Sequence, residues 1–303
     1  MSEVYPTLTA LFTDIADAIR ETTGDTDLII ADDFPNVIRD SLQVKPYLTF
    51  KSPSSFTLAV KDSGKHWDGT LEYSNDVSTW STWDGTTVLS SAIKGSSNVL
   101  YLRGTGNTVI TGNNLNHRWV LTGSNIKCIG NIENLLDYAT VQSGNHPTMA
   151  TYCYYNMFQG CTALTRAPAL PATTLADYCY RSMFNRCTSL TKAPSELPAT
   201  TLANNCYRFM FEFTAITAIP RIMATTYATD SCKGMFDDIK TLNVYSSSGE
   251  GHTYGWTAPA STYCSGMFGS DDGESEWAKL DGSNFPNSGT PTEGVTYYFA
   301  TVD

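Results

Sequence analysis

Tyr152-Cys153-Tyr154-Tyr155-Asn156-Met157-Phe158-Gln159-Gly160-Cys161-Thr162-Ala163-Leu164 returns almost verbatim as Tyr178-Cys179-Tyr180-Arg181-Ser182-Met183-Phe184-Asn185-Arg186-Cys187-Thr188-Ser189-Leu190. Worn copies carry the phrase on to Met210-Phe211, Met235-Phe236 and Met267-Phe268, so the Met-Phe pairs are spaced 26, 27, 25 and 32 residues apart. A period in this range is the mark of a solenoid, because one such unit cannot bury its apolar face alone and stacked neighbours share a core. Leu164, Leu190, Ile216 and Leu242 supply an inward aliphatic in each copy. The Ala-Pro segments at Ala167-Pro168 and Ala193-Pro194 force extended, non-helical backbone between them.

The phrase Tyr-Cys-Tyr-x-x-Met-Phe-x-x-Cys-Thr-x-Leu-Thr-x-Ala-Pro, followed by Pro-Ala-Thr-Thr-Leu, resembles the BspA-like leucine-rich repeats of gut-bacterial surface proteins and of proteins of their phages. The match is specific in the first two copies and loose afterwards. The resemblance implies a curved solenoid with one short strand per coil, an adhesive or recognition role, and no catalytic residue.

Ahead of the repeats the pattern changes twice. Leu8, Leu11, Phe12, Ile15, Ala16 and Ile19 follow the spacing of one helical face, and Gly24 can end that helix. Asp33 can cap a second helix with Pro35 in its first turn and Phe34, Val37, Ile38 and Leu42 along one side. A helical hairpin this small rarely holds a core of its own, so its apolar stripe is expected to meet another surface: the next domain, a second copy, or another protein. Residues 11–39 also look like the leader of many phage tail, baseplate and fibre-like proteins. That resemblance implies an attachment or oligomerisation element carried by Leu8, Leu11, Phe12, Ile15, Ile19, Phe34 and Ile38.

From Tyr47 to about Leu121 short alternating segments separated by turn residues predict an antiparallel sandwich of the Ig-like or carbohydrate-binding-module-like kind. The expected fold class is therefore mainly β with an α-helical leader: a helical hairpin over 1–44, an Ig-like β-sandwich over 45–140, and a leucine-rich-repeat-like solenoid with a C-terminal cap over 141–303. Val295 to Ala300 reads as a strand that closes the last coil or crosses to a neighbouring subunit.

Composition excludes some functions. A net charge of −11 without clustered Lys and Arg argues against a nucleic-acid partner. No run approaches the roughly 18 apolar residues that span a bilayer, so no membrane insertion is expected. If Met1 is the true start, the chain lacks an export signal, which favours a virion protein made in the host cytoplasm over a secreted bacterial adhesin.

Five of the eight cysteines, Cys153, Cys179, Cys206, Cys232 and Cys264, occupy one place in successive repeats and predict a ladder of buried thiols. Knuckle spacing for zinc is missing, and the four histidines lie in different segments without a hydrolase or metalloprotease motif. No catalytic residue, metal or cofactor is expected. The Asp271, Asp272, Glu274 and Glu276 run reads as a polar capping loop.

Two places suggest ligand contact. Ser74-Asn75-Asp76-Val77-Ser78-Thr79-Trp80 is similar to a degenerate Asp-box hairpin, in which Asp76 closes a turn beneath Trp80. Trp67, Tyr73, Trp80 and Trp83 could alternatively present a flat platform to sugar rings. The insertion over 245–260, with His252, Tyr254 and Trp256, is the candidate host-contact loop. The combined expectation is a non-enzymatic phage structural protein, joined through its leader to other virion proteins. It assembles with copies of itself, a trimer above all, and adheres to host surface glycan or protein. A bacterial BspA-like adhesin and a tail-spike-like glycan depolymerase are the alternatives.

Overall fold

Residues 45–269 and 278–302 are described by a computed structural model. The first strands are β1 (Leu48–Ser52), β2 (Thr57–Val60), β3 (Thr70–Ser74), β4 (Ser81–Trp83), β5 (Leu89–Ser90), β6 (Ala92–Lys94), β7 (Ser97–Thr105), β8 (Trp119–Thr122) and β9 (Ile126–Ile129). Helix α1 (Asn134–Gln142) follows, broken at Asp137, and then β10 (Leu164–Arg166). A seven-stranded sheet runs β10-β9-β1-β7-β3-β4, with β6 also on β7, and a smaller sheet runs β5-β2-β8. Alternation decides the faces: in β1, Leu48, Phe50 and Ser52 point inward while Thr49 and Lys51 do not. Trp67, Trp83 and Trp119 pack edge and face in the same core, with centroids 5.1 and 5.4 Å apart. Gly104 lets α1 settle on β7, since any Cβ there would collide with the Leu135 carbonyl.

The repeats fold in a way that neither a helix nor a strand would. In the second copy the amides of Tyr178, Tyr180, Ser182, Phe184 and Arg186 donate to the carbonyls of Asn204, Cys206, Arg208, Met210 and Glu212 in the next coil. The intervening amides of Cys179, Arg181, Met183, Asn185 and Cys187 donate three residues back, to Ala176, Tyr178, Tyr180, Ser182 and Phe184. Each coil thus alternates one bond across to its neighbour with one bond that closes a turn on itself, and no amide of the run is left over. The turns require a left-handed residue every fourth position: Tyr178, Ser182 and Arg186 have φ of 59°, 53° and 60°. Equivalent positions in the third copy are Asn205, Phe209 and Phe213, and in the fourth Asp230, Gly234 and Asp238.

A four-residue period turns two adjacent side chains into the core at each turn. The inward pairs are Cys153-Tyr154 and Met157-Phe158, followed by Cys161, all buried. Stacked coil on coil they form columns. Phe158, Phe184, Phe211, Phe236 and Phe268 make one, with neighbouring centroids 5.5 to 5.8 Å apart and planes within 11°. Tyr154, Tyr180 and Tyr207 make another.

Both ends of the stack are covered. At the start, Ile110 N–H donates to the Cys153 carbonyl, the Thr111 hydroxyl to that of Tyr155, and Trp119 N–H to that of Met157. Phe50 and Trp119 meet the Phe158 ring edge-on at 6.1 and 6.0 Å. The chain then adds β11 (Glu196–Leu197), β12 (Arg221–Ile222), β13 (Asn243–Val244), β14 (Tyr254–Thr257), α2 (Ser261–Cys264), β15 (Lys279–Leu280), β16 (Ser283–Asn284) and β17 (Thr296–Phe299). Strand β17 pairs antiparallel with β14 of the same chain and sets Phe299 at 5.6 Å from Phe268. The terminal strand therefore closes the last coil.

Several expectations are corrected. The fold is mainly β with two short α-helices among the described residues, in several small sheets and with no closed barrel. The helical hairpin over 1–44 lies outside the described residues, as does the acidic run at Asp271 to Glu276. A separate antiparallel Ig-like sandwich does not form: β9 pairs parallel with β10, so the large sheet runs into the first coil, and Pro46–Asp303 is one compact unit with one core. The first four coils each carry one short strand of two or three residues, but the long hydrogen-bonded side of the coil is a run of turns.

Truncating the middle of the phenylalanine column should be severe. Phe184→Ala is expected to cost about 3–5 kcal/mol in urea unfolding, since both ring neighbours lose a face at once. Backbone sign provides a second check at Ser182: Ser182→Gly should raise stability by about 1 kcal/mol, whereas Ser182→Val, β-branched in the left-handed region, should lower it by more than about 1 kcal/mol.

Candidate recognition face

Some of the left-handed positions, Tyr152, Tyr178, Arg186, Phe209 and Phe213 among them, leave their side chains half-buried or exposed beside the turn run. Tyr152 and Tyr178 stack there at 4.6 Å and 18°, and Tyr155 meets Tyr152 edge-on at 5.5 Å. The Arg181 guanidinium lies 5.7 Å from both the Tyr155 and Tyr178 rings, and no carboxylate of the described residues pairs with it. Its Nε is shielded from solvent without a hydrogen-bond partner. One coil further, Arg208 sits 4.9 Å from the Phe209 ring and pairs with Asp230 at 2.9 Å. Arg186 covers the Phe213 ring at 4.4 Å. The result is a strip of aromatic faces interleaved with guanidinium groups, all half-buried or exposed, on a chain whose net charge is negative.

A cleft of about 250 Å³ continues from the strip, lined by Phe209, Lys233, Gly234 and Asp237 on one side and by Gly266, Ser288 and Thr290 on the other. Gly234 has a second duty besides its φ of 57°: a methyl group there would collide with the Phe209 ring, so glycine lets that ring lie over the next coil. Rings held this way offer large contact area with little freedom left to lose, which suits binding.

The residues singled out from sequence are scattered by comparison. Trp67 and Trp83 are 4% and 1% exposed and belong to the core, so these two rings do not face outward as the alternative reading of a platform requires. Tyr73 is half-buried against that core. Trp80 stays near the surface, with the Arg103 guanidinium 4.0 Å above its ring and Tyr47 at 6.0 Å; Arg103 also pairs with Glu72 and covers Tyr138. Asp76 closes the turn beneath Trp80: it accepts from the Thr79 and Ser78 amides at 2.8 and 2.9 Å and from the Ser74 hydroxyl at 3.0 Å. Those donors hold its carboxyl well below the usual carboxylate range.

In the 245–260 insertion two of three candidates are structural. Trp256 is 3% exposed with its indole N–H on the Tyr227 hydroxyl, and the Tyr254 hydroxyl both donates to the Ile222 carbonyl and accepts from the Ile222 amide. Only His252 remains outward, stacked on Tyr245 at 3.7 Å. The attachment candidates Leu8, Leu11, Phe12, Ile15, Ile19, Phe34 and Ile38 lie outside the described residues.

Sequence reading missed the strip itself. Its signal was present in the repeat register: positions 152, 155, 178 and 181 fall between the inward pairs and hold Tyr, Tyr, Tyr and Arg. Among the described residues the Glu212, Asp237 and Asp238 carboxylates also gather, with the Asn185 amide donating to Glu212. All of them are buried within the ladder.

Comparison with family models, with curated proteins and with solved structures gives no match. Among the described residues no helix is long and apolar enough to cross a membrane.

All eight cysteines are buried and free. Burial pushes every thiol up, Cys161 and Cys264 to about 12, because a thiolate in the core has no water around it. A thiol reagent at mildly alkaline pH should label none of the eight in the native chain and all eight in denaturant; rapid labelling of any repeat cysteine in the native chain would contradict this packing.

Proposed function

We propose that this chain is a non-enzymatic structural and recognition protein of a phage particle, whose turn-run face binds host surface glycan. The phage assignment is supported by the resemblance of residues 11–39 to tail and baseplate leaders. The single observation that carries the binding assignment is the strip of Tyr152, Tyr155 and Tyr178 around the Arg181 guanidinium, for which the described residues supply no counter-charge. Tyrosine faces suit the apolar side of a pyranose, and an uncompensated guanidinium suits the carboxylate or sulfate of an acidic sugar.

Segment 1–44 would join the chain to other virion proteins and to copies of itself. In a trimer three strips act together, so each contact needs only modest affinity because tethering raises the effective concentration.

The test is a glycan array with the full chain beside Tyr178→Ala and Arg181→Ala. Binding of acidic glycans should fall about tenfold in each variant, matching the roughly 1.4 kcal/mol that one good aromatic or charged contact supplies. Equal binding by all three proteins would remove the strip from the account, and release of free sugar by the chain would favour a depolymerase.

A further inference from the structure

His66 and His117 lie face to face with ring centroids 3.6 Å apart and planes within 4°. They meet where the β2–β8 pair runs out, and hydrogen bonds continue past the strands: Lys61 N–H donates to the Arg118 carbonyl and Asp62 N–H to that of Asn116, at 2.9 and 2.8 Å. Two chain segments that are distant in sequence are thereby pinned side by side. The Asp62 carboxylate and one ring nitrogen from each histidine all fall within 4.8 Å of one another.

The hydrogen bonds fix the tautomer of each ring. His66 Nε2 lies 2.7 Å from the Asp62 carbonyl, and His117 Nδ1 lies 2.7 Å from the Thr111 carbonyl. A carbonyl oxygen only accepts, so those two nitrogens carry the protons. In the neutral rings Nδ1 of His66 and Nε2 of His117 therefore hold free lone pairs. A ring whose far nitrogen donates to a backbone carbonyl is the usual state of a metal-bound histidine, since that bond fixes the tautomer and makes the ligating nitrogen more basic. The Asp62 carboxylate is engaged by no other described residue.

We propose that Asp62, His66 and His117 form a binding site for a divalent transition ion of the zinc type. Two imidazoles and one carboxylate are the donors such an ion prefers, and three protein ligands leave a fourth tetrahedral position for water or for a donor from a bound molecule. Parallel rings aim their lone pairs side by side rather than at one point, so capture of the ion tilts one imidazole. His66 is the ring that turns, because its bond runs only to its own loop four residues back, while His117 is anchored to a different turn.

The experiment is calorimetric titration of the chelator-treated full chain with zinc chloride, alongside Asp62→Asn, His66→Ala and His117→Ala, with Co²⁺ absorption as a second readout. The parent should bind with a stoichiometry one ion higher than either histidine variant, or at least about tenfold more tightly. Its Co²⁺ complex should show visible bands of tetrahedral strength that His66→Ala removes. Apo melting temperatures report whether the variants fold; His66, half-buried on a loop, is the decisive one if His117→Ala does not. Absence of binding at roughly millimolar zinc, or the same stoichiometry and affinity in the parent and His66→Ala, would overturn the proposal.

Discussion

Every coil of this chain depends on sending alternate amides across to its neighbour, as in the bonds from Tyr178, Tyr180, Ser182, Phe184 and Arg186 to the coil that follows. The backbone can do so only by taking the left-handed region at every fourth residue, and several of those residues are Tyr, Ser, Arg or Phe rather than glycine. Each such residue is disfavoured by about 1–2 kcal/mol on its own. Strain of that size persists only where the surroundings over-determine the conformation. Here the surroundings are the ladder bonds, each contributing about 1 kcal/mol net, and the columns of Phe, Tyr, Met and Cys that the same geometry turns inward. Backbone and core therefore stand or fall together, and one repeat alone has neither.

The same constraint explains the ends. A coil offers carbonyls on one side and amides on the other, so the first coil needs donors and the last needs acceptors. Ile110, Thr111 and Trp119 donate to the first, which ties the large sheet to the repeats and makes one core of what reads in sequence as two domains. At the far end Gly289 accepts from the Phe268 amide, and Phe285 and Phe299 cover the Phe268 ring.

Much of this was legible in the residues. The Cys, Met and Phe of each copy were recognisable as inward positions, and the terminal segment as a strand that either closes the last coil or crosses to a neighbour, of which its pairing with β14 shows the first. The turns were not read, although the spacing Cys153-Tyr154, Met157-Phe158, Cys161 declares them: adjacent residues facing one way every four positions fits neither a helical period nor a strand's alternation. The signal for left-handed backbone is spread over the copies as Asn156, Gly160, Asn205, Asp230, Gly234 and Asp238, and is hidden in the second copy by Tyr178, Ser182 and Arg186. Trp67 and Trp83 illustrate a harder limit. A tryptophan in a turn-rich region serves equally as core or platform, and only the register that faces Leu71 to Trp83 decides. Strand β9 lies beyond the alternating stretch that ends near Leu121, and it pairs with β1 on one side and with the first repeat's β10 on the other.

The central claim is the partnering of those alternate amides, and scalar couplings across hydrogen bonds measure it directly by nuclear magnetic resonance. The account predicts couplings from the amides of Tyr178, Tyr180, Ser182, Phe184 and Arg186 to the carbonyls of Asn204, Cys206, Arg208, Met210 and Glu212, interleaved with couplings from Arg181, Met183 and Asn185 to carbonyls three residues back. Couplings from all of these amides to neighbouring coils, as in a continuous strand, or to carbonyls four residues back, as in a helix, would contradict it.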